Sequence, residues 1–352
     1  MSTKMIILLP LSLLLFGLLA CQASPTPEAL PTEDPYAALD RQAFLANDRI
    51  GRAINLGNAL DGPSEGSWGL YLKDVYFSDI AAAGFDTVRV PIRWSKYAGL
   101  YPPYEIQTGI LERVDWVIEQ AFANDLNVII NIHHYDAIFQ LPETEVDRFV
   151  SIWHQLAERY QEYPDSLYFE LLNEPHEKLE AEIWNQIFPQ ALAVIRETNP
   201  ERYVIIGPDQ WNSVERLNTL RLPSDDRRII VTFHYYSPHE FTHQGASWSS
   251  ASEQKDVIWG SEADRQALAD TFDRALEWSQ SESRPLFIGE FGVYAGVPEE
   301  IRAIWLAAVR QEAEARGFSW AHWDFGTDFA VYNLSSQTWR TVILEALIPP
   351  TE

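Results

Sequence analysis

Eight short runs rich in β-branched and aromatic residues recur along the chain, and this recurrence constrains the fold more than any other feature. They are "AINLGNAL" from residue 53, "TVRVPIRW" from 87, "NVIINIHHY" from 127, "LYFELLNEP" from 167, "RYVIIGPDQ" from 202, "IIVTFHYY" from 229, "PLFIGEFG" from 285 and "FSWAHWDFG" from 318. Their starts are separated by 34, 40, 40, 35, 27, 56 and 33 residues. Between them lie "ILERVDWVIEQAFAND", "VDRFVSIWHQLAERYQEY", "AEIWNQIFPQALAVIRET" and "RQALADTFDRALEWSQ", with apolar residues at i, i+3, i+4 and i+7, the spacing that lines one face of a helix. Runs with little alternation suit parallel strands buried on both faces, and parallel strands require crossover helices. A doubly wound open sheet meets the same demand. Eight units, however, match a closed (β/α)8 TIM barrel of the α/β class, and 352 residues hold the roughly 250 that such a barrel needs. The pattern "TWRTVILEALI" near the C-terminus closes the ring, so a single domain over residues 41–352 is expected.

The first forty residues read as processing and tether. Lys4 precedes sixteen uncharged residues, "MIILLPLSLLLFGLLA", too few for a comfortable membrane span, and then Cys21. "LLAC" at 18–21 resembles the lipobox of bacterial lipoprotein signals, which implies cleavage after residue 20 and lipidation of Cys21. An ordinary cleaved signal peptide and an uncleaved anchor are the competing readings. Cys21 is the only cysteine, so it has no disulfide partner within the chain. Residues 21–40, rich in Pro, Thr and acidic residues, cannot bury enough apolar surface to fold and should form a linker. A net charge of −25 argues against nucleic acid or an anionic membrane surface as a ligand. Contact with a membrane is expected only through a lipid at Cys21, on a secreted or extracytoplasmic protein, and a monomer is expected.

Catalytic groups of a barrel project from the C-terminal ends of its strands. Those ends carry Asn58 and Asp61, Arg89, His133 and His134, Asn173 and Glu174, His234 and Tyr236, Glu290, and Trp323 with Asp324. Glu174 in "NEP" and Glu290 in "GEFG" stand three strand units apart, placed to face each other across the ring. Cleavage of a glycosidic bond needs such a pair, one carboxyl to donate a proton and one carboxylate to attack or to activate water. The 13 Trp, 15 Tyr and 17 Phe fit a sugar ligand, whose apolar ring faces stack on indole. The long interval from 229 to 285 should form one wall of a cleft.

In order along the chain, "INLGNAL", "VRVPIRW", "INIHHY", "LLNEP", "FHYYSPHEFTHQGASW", "IGEFG" and "WAHWDFG" resemble glycoside hydrolase family 5, the bacterial endoglucanase or cellulase A type with glucan- and mannan-active relatives. The resemblance spans roughly residues 45 to 348. It implies a single catalytic domain, a polysaccharide substrate and no cofactor. It implies that Glu174 is the acid/base and Glu290 the nucleophile of a retaining mechanism. Arg89 and Tyr236 are then expected to hydrogen-bond Glu290 and favour its ionised form, and Asn173 to hold the 2-hydroxyl of the sugar. His234 would orient a glutamate, Trp323 would floor the cleaved-bond subsite, and Asn58, Asp61, His133 and His134 would line the glycone side. Trp211 and His243 are expected to touch substrate.

Each assignment has a plainer competitor. Glu174 before Pro175 suits a helix entry, and Arg89 could be an ordinary buried ion-pair partner of Asp86 or a glutamate. His133, His134 and His234 could ligate zinc, but neither "HHYD" nor "FHYY" gives a His-x-His pair and both glutamates would then lack a role, so no metal is expected. Trp116, Trp153, Trp184, Trp278 and Trp305 lie in helical patterns and should pack against the barrel. Trp68, Trp94, Trp211, Trp248 and Trp259 lie in loops, where cleft lining is expected. The favoured substrates are cellulose, carboxymethylcellulose, mixed-linkage glucan and glucomannan. β-1,4-mannanase or xyloglucanase activity is the alternative within the family, and a non-catalytic, polysaccharide-binding surface lipoprotein the alternative outside it. Asp324, where close relatives often carry Glu, is a departure that could bear on which sugar epimer fits.

Overall fold

The computed structural model describes residues 1–3 and 35–350. Cys21, the apolar leader and nearly all of the expected linker lie outside the described residues. From Tyr36 onward the chain forms one compact unit.

Eight parallel strands close into a barrel in sequence order: β1 (Arg52–Asn55), β2 (Thr87–Ile92), β3 (Asn127–Ile132), β4 (Leu167–Glu170), β5 (Val204–Ile206), β6 (Ile229–Tyr235), β7 (Leu286–Phe291) and β8 (Ser319–His322). The ring closes where Arg52, Ala53 and Ile54 pair with Trp320, Ala321 and His322. The architecture is therefore the expected (β/α)8 barrel, not an open sheet. Helices Asp74–Ala82, Thr108–Phe122, Pro142–Arg159, Ala181–Thr198, Glu262–Glu282, Glu299–Ala315 and Thr341–Leu347 surround it. None of the described helices is long and apolar enough to cross a membrane. The fifth unit departs from the pattern: β5 returns to β6 through a left-handed turn at Gln210, Trp211 and Asn212 and a short 3-10 segment, Val214–Thr219, because its 27-residue interval leaves no length for a full crossover helix.

Apolar burial forms two layers. The larger packs outward-facing strand residues such as Val88, Val90, Ile130 and Phe233 against the helices, with Trp153, Trp184 and Trp305 buried among them. The smaller fills the barrel interior with Ala53, Ile129, Tyr168, Ile205, Ile230, Phe287 and Ala321, capped from below by Ala43, Ala46 and Ile50 of the helix Ala37–Ile50. That helix is tied in by Asn47, whose Nδ2 donates to the Leu286 carbonyl and whose Oδ1 accepts from Ser319 Oγ. The N-terminal end of the barrel is thus plugged with hydrocarbon, and polar side chains collect at the other end.

Candidate active site

Above the apolar layer the inward-facing positions turn polar: Asn55, Arg89, Asn131, Glu170, His234 and Glu290 are all buried. Burying charge is costly unless each charge is paired, and Arg89 shows how the pairing is done. Its Nε and Nη2 donate to the two oxygens of Glu170 at 2.6 and 2.7 Å. Nη2 also donates to Asn173 Oδ1 at 2.8 Å, and Nη1 donates to Asn55 Oδ1 at 2.7 Å and to Glu290 Oε1 at 2.8 Å. One guanidinium on β2 therefore ties β1, β4 and β7 together. It is an ion-pair partner of a glutamate and a neighbour of Glu290 at the same time.

Glu290 owes its inward direction to a bulge. His234 of β6 pairs with Glu290 while Phe233 pairs with Ile288, so Gly289 is the extra residue and the alternation of β7 shifts by one. A Cβ on residue 289 would lie 2.7 Å from Thr232 Oγ1 and 2.8 Å from His234 Nε2, which only glycine avoids. Glu290 Oε2 accepts from the Tyr236 hydroxyl at 3.0 Å and lies 3.6 Å from His234 Nδ1. Across the cavity Glu174 leaves β4 with a left-handed backbone, φ 47°, an uncommon conformation for a residue with a side chain. Its Oε1 lies 2.7 Å from His234 Nδ1. One oxygen of Glu174, one of Glu290 and a ring nitrogen of His234 all fall within 4.8 Å of one another. His234 is held from behind by Asn212, whose Nδ2 lies 3.2 Å from Nε2.

Burial pushes the Glu174 carboxyl up to about 7, against the opposing influence of His176 and Arg89. It raises Glu290 too, opposed by His234 and Arg89. The expected bonds from Arg89 and Tyr236 to Glu290 are present; Arg89 favours the carboxylate, as expected, while burial acts the other way and by more. Burial also pushes His234 down to about 4 and lifts the Tyr236 hydroxyl well above its usual value. The pair is therefore a neutral imidazole between two carboxyl groups, with the Arg89 charge close to one of them.

The remaining expected residues divide between the two ends of the cleft. Asp61, His133 and His134 meet at one end, with the edge of Trp68 against His134. Burial holds His133 well below the usual histidine range and His134 at about 4, and it pushes Asp61 up to about 7. Trp323 lies parallel to His133, centroids 5.4 Å apart, and its indole rests on the backbone of Gly57, where a Cβ would come within 2.6 Å of the ring. Asn58, itself at φ 64°, donates to Thr327 Oγ1 at 2.6 Å. At the other end Trp211, 54% exposed, stacks on His176. The long loop after β6 brings His243 edge-on to Tyr236 and Trp248 edge-on to Tyr294.

Several expectations need correction. Trp94 is fully buried and lines no cleft, because the residues after β2 turn at once into the short helix Trp94–Tyr97 and carry the indole into the core. Trp259 is partly buried and packs on the same core. Asp324 does not face the cavity: its oxygens accept from the Thr327 N–H and hydroxyl and from the Phe329 N–H. Glu170, Asn55, Asn212 and Thr327 were not singled out from the sequence. Glu170 carried a usable signal, since a carboxylate inside the apolar run "LYFELL" needs a buried cation, and Arg89 inside "TVRVPI" is one.

Comparison with known proteins gives the family. Residues 55–328 match the model of the family described as cellulase, glycosyl hydrolase family 5. Endoglucanase H of Acetivibrio thermocellus is 36% identical over 339 residues, which cover 94% of this chain and 36% of that protein, so the chain spans about a third of that relative's length. Endoglucanase B of Clostridium cellulovorans is 32% identical over 314 residues, covering 81% of this chain and 70% of the relative. A solved structure of Thermotoga maritima Cel5A in complex with cellobiose superposes with a TM-score of 0.86 at 44% identity, covering 87% of this chain and 100% of that one. The chain belongs to the cellulase family, glycosyl hydrolase family 5.

Proposed function

We propose that the protein is a retaining endo-β-1,4-glycanase acting on β-glucans such as cellulose, carboxymethylcellulose, mixed-linkage glucan and glucomannan. The observation that carries this reading is the approach of Glu174 and Glu290 to within 4.8 Å, because direct attack on the sugar calls for carboxyl groups about 5–5.5 Å apart whereas activation of an intervening water calls for about 6.5–9.5 Å. Glu174, held near 7, enters the first step protonated and gives its proton to the glycosidic oxygen as the bond to the anomeric carbon breaks. The Glu290 carboxylate, its charge held by Arg89 Nη1 at 2.8 Å, takes that carbon as an ester. In the second step Glu174, now a carboxylate, removes a proton from water; the water oxygen bonds to the anomeric carbon and Glu290 is released. Asn173 gives its Oδ1 to Arg89, which leaves its amide hydrogens for the 2-hydroxyl. His134 and Trp323 line the glycone side with Asp61 and His133 buried behind them, and Trp211, His243 and Trp248 extend the cleft.

Mannan- or xyloglucan-directed activity is the second reading. Structures of the similar Thermotoga maritima Cel5A are described with cellobiose and with mannotriose, which supports a cleft of this type admitting both epimers. A secreted protein anchored through Cys21 fits the leader sequence. Glu290→Ala should abolish turnover, and azide should restore part of it as a glycosyl azide of inverted configuration. Glu174→Ala should lose far less on aryl glycosides with good leaving groups than on polysaccharide, since such groups need little protonation. Wild-type turnover by Glu290→Ala without azide, or the absence of new reducing ends from a panel of glucans, mannans, xyloglucan and xylan, would leave only the binding-protein alternative or another chemistry.

A further inference from the structure

Asp61, on the loop leaving β1, is wholly buried; the backbone N–H groups of Asn58 and of Asp61 itself lie near its carboxylate, but neither oxygen accepts a well-aligned hydrogen bond, and no side chain donates to it among the described residues. A buried carboxylate in that state calls for a proton, a donor from a ligand, or a cation. Two imidazoles from the end of β3 face it. Asp61, His133 and His134 each place one potential ligand atom within 4.8 Å of the other two, and Asp61 Oδ2 lies 3.8 Å from His134 Nε2. His133 is fixed by its stack on Trp323 and by Asn131 Nδ2, 3.2 Å from its Nδ1, while the side chain of His134 is 37% exposed and opens toward the cleft.

We propose that this cluster binds a divalent transition-metal ion such as Zn²⁺ or Ni²⁺, which competes with the sugar for the glycone end of the cleft. Two imidazoles and a carboxylate form a donor set suited to zinc, and bonds of about 2.0–2.2 Å to a tetrahedral ion place the ligand atoms roughly 3.3–3.6 Å apart. Asp61 and His134 already stand close to that separation. The fourth position opens toward the cleft and takes water. The second triad, Glu174, His234 and Glu290, is the poorer host, because Glu290 already accepts from Arg89 and Tyr236. The ion plays no part in bond cleavage; it fills space and claims the groups that a sugar would use. Only this competition rests on the function proposed above, since binding of the ion does not.

Calorimetric titration of the metal-free protein with ZnCl₂ and with NiCl₂ tests the site without any substrate. One binding event is expected in the wild type, weakened at least tenfold in His134→Ala and in Asp61→Ala and retained in Glu290→Gln, with circular dichroism reporting that each variant is folded. Should Asp61→Ala fail to fold, His134→Ala decides alone. In hydrolysis assays the ion should raise KM and leave kcat unchanged, and a chelator should reverse it. No binding heat, or affinity lost in Glu290→Gln and kept in His134→Ala, overturns the site. Inhibition that lowers kcat at unchanged KM overturns the competition. Protein that binds metal in this pattern but cleaves no glycan leaves the metal site standing and removes the proposed hydrolysis.

Discussion

Asn58 shows how a single side chain is aimed. Asp324 accepts from both the N–H and the hydroxyl of Thr327 at 2.6 Å, and a hydroxyl that has donated its hydrogen has only lone pairs left to offer. Asn58 therefore gives Thr327 its Nδ2, at 2.6 Å, and its Oδ1 remains to accept a sugar hydroxyl. On the proposed reading Thr327 is a positioning residue, through which Asp324 would act on the sugar rather than by contact. Thr327→Val keeps the shape and removes both roles of the hydroxyl. The expected loss is about 1–2 kcal/mol, roughly 5–30-fold in kcat/KM and carried mainly by KM, with Thr327→Ser close to wild type. Equal kcat/KM for the valine and serine variants would break this chain of donors. Asn58 and Asp324 were legible as residues at strand ends, but the Thr327 that joins them was not, because it lies in an ordinary loop and only the fold brings it to Asn58, 269 residues away.

Strands were legible where burial on both faces left continuous apolar runs, as in "NVIINI" and "IIVTF", and helices where the apolar period was kept. Glu174 and Glu290 were legible because they stand as a pair at the ends of two such runs, where the helix entry that suits Glu174 alone does not account for both. What the runs did not disclose was parity. "PLFIGEFG" gives no sign that Gly289 is a bulge, and without the bulge Phe287 and Gly289 would be followed inward by Phe291 rather than by Glu290. The position of the carboxylate thus depends on an element-level irregularity that a glycine permits. Gly289→Ala should fold, since the β7 ladder on either side is intact, but its Cβ would have to displace Thr232 or His234. An activity loss of about 10²-fold is expected, the scale of a displacement near 1 Å at a catalytic group, with circular dichroism unchanged and Tm a few degrees lower. Unchanged kcat in a folded Gly289→Ala would show that the contact between β6 and β7 does not set His234.

At the scale of the whole molecule the barrel concentrates carboxyl groups where water is scarce, in a chain that already carries a net charge of −25. Glu174 and Asp61 are both pushed up to about 7 and Asp324 to about 6, each chiefly by burial. The ordinary values in an unfolded chain are about 4.3 for Glu and 3.9 for Asp, so the folded state binds more protons than the unfolded one across this window. Stability conferred by the protonated groups is therefore complete below about pH 4 and is lost as pH rises toward 7. A neutral isostere removes this slope at its own site while the rest of the charge distribution stays in place. Glu174→Gln and Asp61→Asn should be close to wild type in unfolding free energy near pH 4.5 and more stable at pH 8, Glu174→Gln by about 2 kcal/mol, a figure kept below the full 1.4 kcal/mol per pH unit because the Glu174 side chain is a quarter exposed, and the wholly buried Asp61→Asn by at least as much. Denaturant unfolding at a series of pH values measures this directly. Parallel profiles for wild type and both variants would mean that these carboxyls ionise freely in the folded protein, and the proton that the proposed first step draws from Glu174 would then be absent at neutral pH.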